Sequence, residues 1–129
     1  MSTTFMNPSG IAKPTGYTHV VKASGTLVFI SGQVGLDPEG NIAGPGDFGQ
    51  QTEQVFRNLD TALKAAGAEF KDVVKMNIYV LDTSQLPVLR EIRNRYVNTS
   101  NPPASTLVAV VRLARPEFLV EIEAVAVLP

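Results

Sequence analysis

The sequence predicts an α+β domain in which two helices share one face of a mixed β-sheet. Three observations carry this. The chain has 129 residues, which suits one core burying roughly two thirds of the unfolded surface. Its hydrophobic periodicities give the order β-β-α-β-α-β-β. Two helices cannot cover both faces of such a sheet, so they pack on one and leave the other to water or another subunit. No repeat, low-complexity tract or linker divides residues 1–129, which read as a single domain.

Residues 17–23 and 26–32 are rich in β-branched and aromatic side chains, and Ser24-Gly25 between them predicts a tight hairpin turn. DPEGN (37–41) predicts another turn, followed by a loop through Gly44-Pro45-Gly46. Asp47 stands three residues before Gln50, a capping-box pattern that opens a helix. Val55, Leu59, Ala62, Leu63 and Ala66 follow at helical spacing, with Gly67 placed to end it. Residues 72–82 alternate as a strand, with Val74, Met76, Ile78 and Val80 on one face and Val73, Lys75, Asn77, Tyr79 and Leu81 on the other.

A second helix is predicted over 84–97, burying Leu89, Ile92 and Tyr96, and Pro102-Pro103 cannot continue it. Residues 105–113 and 118–127 are the last two strands, with Arg115-Pro116-Glu117 turning between them. In the final strand Val120, Ile122, Ala124 and Ala126 make one apolar face, while Glu121, Glu123, Val125 and Val127 make the other. A strand apolar on one face and half apolar on the second favours a subunit contact.

Composition excludes several function classes. Hydrophobic residues make up 44%, charged residues 18%, and the formal net charge is −1, so no global field draws the chain to nucleic acid or anionic lipid. Without cysteine there are no disulfides, thiolate nucleophiles or Cys-based metal sites. His19 is the sole histidine, which rules out a His-based metal cage; it reads as a surface or edge residue, with a lone general base as the alternative. Neither a metal nor an organic cofactor is expected. The start, MSTTFMNPSG, lacks the flank and core of a signal peptide. No apolar run approaches the ~18 residues of a membrane span, and the cytoplasm is the simplest location.

Three features are candidates for chemistry. SGQVG (31–35) ends a strand with glycines; it is either a bulged terminus or a place where a ligand meets bare backbone. It lacks the length and lysine of a phosphate loop. Arg90, Arg93 and Arg95 form a basic cluster in which Arg90 and Arg93 share a helix face; a solvated face and anion capture are the two readings. Glu121 either marks a wet strand end or lines a cleft and moves a proton.

Taken together, SGQVGLDPEG (31–40), PPASTLVAVVRL (102–113) and VEIEAVAV (120–127) resemble the Rid family, the reactive intermediate deaminases also called YjgF-like or endoribonuclease L-PSP-like proteins. The likeness runs from Tyr17 to the C-terminus in order and spacing. It implies a chorismate-mutase-like fold and a homotrimer whose sheets form a central barrel, with a small-molecule cleft between neighbouring subunits. The RidA branch hydrolyses enamines and imines such as 2-aminoacrylate to 2-oxo acids and ammonia without metal or organic cofactor. By position, the resemblance makes Glu121 the residue that holds the attacking water. Tyr17, Ser31 and Gly32 complete the pocket, and Leu107 and Val125 form its wall.

The sequence departs from that branch at one place. The branch has an arginine after its Pro-Ala pair that forks onto the substrate carboxylate; here Pro103-Ala104 is followed by Ser105. Each charge-assisted hydrogen bond of such a fork contributes roughly 1.5–3 kcal/mol, so losing one weakens carboxylate binding about tenfold to a hundredfold. Either the substrate lacks a carboxylate at that point or is a larger one held elsewhere, or another cation serves, or the pocket binds without turnover. Arg90 is the candidate cation, since it falls where the family pocket usually has an asparagine. Glu123 is expected to pair structurally with Arg112 if their strands are neighbours. The leading expectation is a deaminase of reactive imines whose substrate scope Ser105 alters. A non-catalytic metabolite-binding protein comes second. A ribonuclease ranks last, because the chain is slightly acidic and offers no platform for stacking bases.

Overall fold

The computed structural model describes residues 3–129. Its strands are β1 (Thr4–Met6), β2 (Val20–Lys22), β3 (Thr26–Gln33), β4 (Val73–Val80), β5 (Ala104–Ala109) and β6 (Val120–Leu128), with helices α1 (Phe48–Ala65) and α2 (Leu86–Arg93). The main sheet has the order β3-β6-β4-β5. β4 and β5 run parallel, and the other neighbours are antiparallel, so the sheet is mixed, as the sequence predicts. Both helices pack on one face of it. Val55, Phe56, Leu59 and Leu63 of α1 and Leu89 and Ile92 of α2 share a buried core with Met76, Ile78, Val80, Val120, Ile122, Ala124 and Ala126.

The expected N-terminal hairpin is not formed. β2 pairs instead with β1, which periodicity did not reveal, in a separate two-stranded sheet. β3 pairs with β6, Phe29 opposite Val125. The long apolar face of β6 offers β3 far more burial than the three-residue β2 does, and local proximity in sequence loses to it.

Other boundaries shift for local reasons. The second helix is shorter than expected, ending at Arg93, although Tyr96 still stacks on Phe56, with ring centroids 5.2 Å apart. β5 ends at Ala109, where its partner β4 also ends: Val110 N–H makes a last bond to the carbonyl of Val80, and the chain then leaves the sheet. In β4 a bulge at Val73/Lys75 moves Val73 to the core face and Val74 off it, the reverse of strict alternation.

Helix α1 starts and stops where the sequence predicts, although the reciprocal bond of a capping box is not made, since Asp47 N–H goes to the Gly44 carbonyl. The Asp47 carboxylate accepts from the Gln50 N–H at 2.9 Å, and the Gln50 side chain donates back to that carboxylate at 3.0 Å. At the far end Gly67 takes φ +77°, while Gly67 N–H and Ala68 N–H bond the carbonyls of Lys64 and Leu63 in a Schellman arrangement. The buried Gln51 of α1 then ties down the approach to β6. Its amide donates to the Glu117 carbonyl, and its oxygen accepts from Leu119 N–H, both at 3.0 Å. Among the described residues no helix is long and apolar enough to cross a membrane.

Candidate functional site

The expected site residues fall into two groups. The first lies where β5, the edge strand, meets α2. In the parallel register Ser105 stands beside Met76 and Leu107 beside Ile78, so both point to the helix side of the sheet. Tyr17 is brought there from far away in sequence: Thr18 donates its N–H to Pro103 O and its hydroxyl to Pro102 O. Tyr17, Arg90, Ser105 and Leu107 thereby line one cavity of about 380 Å³, together with Thr15 and Arg93.

Arg93, which the sequence places in the basic cluster but not among the expected pocket residues, joins them here. Its Nη2 lies against Gly16, 2.7 Å from where a Cβ would stand, and its Nε and Nη2 donate to Asn94 Oδ1 at 3.2 and 3.1 Å. Burial, and then the neighbouring Arg90 charge, hold its guanidinium below the usual arginine range. The three-residue spacing from Arg90 was the available signal. The glycine seat 77 positions upstream was not readable from the helix alone.

The second group occupies the opposite side. Glu121 stands opposite Tyr79, Glu123 opposite Asn77 and Val125 opposite Phe29, which places all three on the sheet face away from the helices. Ser31, Gly32 and Val125 line a shallow cavity of about 260 Å³ with Phe29 and Glu123. Gly32 sits in a β-bulge of β3 between Ile30 and Gln33. The space a side chain would take there is filled by the Glu121 carboxylate. Burial, and then the Glu123 charge, push the Glu121 pKa up, so this carboxyl holds a proton to higher pH than an exposed glutamate.

Glu123 does not pair with Arg112, which lies beyond the end of β5, a strand that β4 separates from β6. It accepts instead from Asn77 Nδ2 at 3.0 Å and from the Tyr79 hydroxyl at 3.3 Å. Arg112 donates to the carbonyls of Leu113 and Ala114. Burial first, and then the two glutamates, raise the Tyr79 pKa. His19 is engaged structurally: its ring nitrogen lies 2.6 Å from the Ala12 carbonyl, and its ring meets Tyr17 edge-on at 5.3 Å.

Within one chain the two groups therefore face away from each other across the sheet. Another cavity, of about 760 Å³ between the starts of α1 and α2, contains none of the expected site residues. Its two carboxylates, Asp47 and Asp82, are occupied with capping backbone N–H groups. No group of three or more metal-ligating side chains occurs among the described residues.

Comparison with known proteins bears on this arrangement. Residues 9–128 match the Endoribonuclease L-PSP family model. The chain is 36% identical over 115 residues to a RutC family protein of Pyrococcus abyssi, covering 88% of each. It is 38% identical over 113 residues to the 2-iminobutanoate/2-iminopropanoate deaminase of Mus musculus, covering 86% of this chain and 80% of the mouse protein. Among solved structures, YyfB of Yersinia pestis, a Rid family protein of unknown function, superposes with a TM-score of 0.88 at 34% identity, over 99% of this chain and 100% of that one. Fold, element order and sequence agree: the chain belongs to the Endoribonuclease L-PSP family, the family also called YjgF or Rid.

Proposed function

We propose that this protein is a hydrolytic deaminase of reactive imines or enamines, working in a cleft between two copies of the chain. The observation that carries the reading is the Glu121 carboxylate, half-buried, with a raised pKa and seated against Gly32. Imine hydrolysis needs such a group. Water adds its oxygen to the imine carbon, the C–N bond breaks, and nitrogen leaves as ammonia carrying both water protons. A carboxyl whose pKa is raised takes a proton from the attacking water and returns one to the leaving nitrogen.

In this reading Glu121, Ser31, Gly32 and Val125 of one subunit face Tyr17, Arg90, Ser105 and Leu107 of its neighbour. The two groups lie on opposite faces of one sheet, and a second copy is the economical way to bring them together. The helix-free face supports this too, since Phe29 is 74% exposed and Leu27 57% exposed on it in the single chain. Covering such side chains is a strong drive to associate, and the expected product is a homotrimer of single-domain subunits. No cofactor enters the chemistry.

The test is 2-oxo acid and ammonia release from freshly generated 2-iminopropanoate, with Glu121→Ala as the control. Release well above the spontaneous rate, lost in a variant that stays folded and assembled, supports the reading. A rate equal to the blank for every imine tried, with metabolite binding retained, would favour a binding protein, the alternative that Ser105 motivates.

A further inference from the structure

The arginines of α2 and the turn after it have different surroundings. Arg95 is ion-paired, with Nη1 2.9 Å from Glu53 Oε1 and Nη2 3.7 Å from Glu91 Oε1. Arg90 and Arg93 have no carboxylate within ion-pair distance among the described residues. Both line the cavity of about 380 Å³ beside Ser105, and no Asp or Glu lines it with them. Among the described residues the Arg93 guanidinium hydrogen-bonds only the neutral Asn94 side chain, which uses two of its five N–H donors. Gly16, at φ +79°, keeps the space under that guanidinium clear.

Two positive charges facing one cavity without a counter-charge repel each other, and the half-buried Arg93 is incompletely solvated as well. A ligand with one negative charge leaves one guanidinium unbalanced, whereas a ligand with two satisfies both. Tyr17, Thr15 and Ser105, each with a hydroxyl, line the same cavity and can add neutral donors. We propose that Arg93 and Arg90 together seat a dianion, and that the preferred substrate is the imine of a dicarboxylic amino acid, held by its carboxylates from α2 rather than from β5. The proposal rests on the deaminase reading for its chemistry, but the seat itself is a binding property. The step stays balanced: a dicarboxylic 2-imino acid and water give the 2-oxo diacid and ammonia.

Calorimetric titration of the assembled protein with succinate and, separately, with propanoate tests the seat. Succinate is expected to bind at least about tenfold more tightly, the yield of one further charge-assisted hydrogen bond. Arg93→Lys, which keeps the charge and loses the fork, and Arg90→Gln, at an exposed position, should each abolish most of that preference. Glu121→Gln should keep it. Equal affinities, or a preference unchanged in both arginine variants, overturns the proposal. Turnover of imines made by an amino-acid oxidase from aspartate and from alanine separates the two claims. Turnover of the alanine imine without succinate preference leaves the deaminase and removes the seat. Succinate preference with no turnover of either imine leaves the seat and removes the deaminase substrate.

Discussion

The carboxylate of Glu121 occupies the space that any side chain at position 32 would need, so Gly32 and Glu121 are one structural unit. The glycine is required by close approach, not by backbone conformation. Gly32→Ala should push the carboxylate aside or strain β3, at about 1–3 kcal/mol. Combining it with Glu121→Ala should recover most of that loss, a coupling that a double-mutant cycle of chemical denaturation reads directly. Additive costs would mean that the two residues do not meet in solution.

The raised Glu121 pKa sets a sign for stability against pH. Its carboxyl binds a proton more tightly folded than unfolded, so its favourable contribution is full below the ordinary value of 4.5. It is lost as pH rises through the elevated folded value. Glu121→Gln removes that dependence. The melting temperature of the variant relative to the parent should therefore increase from about pH 4 towards neutrality; a constant difference would contradict the shift.

Glu123 depresses the acidity of the Tyr79 phenol, after burial, by accepting its hydrogen bond and by its charge. Glu123→Gln keeps an acceptor at that place but removes the charge. Ultraviolet titration of tyrosine should show one phenol ionising at lower pH in the variant.

Ser105→Arg returns a guanidinium to the β5 side of the cavity. Turnover of small monocarboxylate imines such as 2-iminopropanoate should rise, by roughly tenfold or more if a full fork forms. No gain would indicate that the pocket has diverged beyond this one position.

As a stability reference remote from the expected site residues, Asp47→Ala removes the α1 cap and should cost about 1 kcal/mol by denaturant titration. Deaminase activity should be unaffected.

Much of the fold is legible from local pattern. The period-two alternation of residues 120–127 correctly sorts Ile122 and Ala124 to the core and Glu121 and Glu123 to the other face, because pleating leaves side chains no choice. The cap at Asp47 and the stop at Gly67 involve only groups within one turn of the helix end, so they too can be read directly. What fails is whatever depends on competition between partners. Ser24-Gly25 looks like a hairpin turn, but β3 gains more by joining β6. Arg112 and Glu123 look complementary, but Arg112 lies past the end of β5, and β4 comes between β5 and β6.

The candidate site divides the same way. Sequence by itself determined the chemical groups: a carboxylate on a half-apolar strand, a glycine at a strand end, a serine where a family branch has arginine, and arginines three apart on a helix. Tertiary structure alone decided which of them meet. Thr18 must cross to Pro102 and Pro103 before Tyr17 can stand by Ser105, and Arg93 finds its seat on Gly16 only once the chain has folded back. The physical reason is that alternation and capping are local geometry, whereas long-range neighbours are set by which burial and hydrogen-bond pairings win across the whole chain.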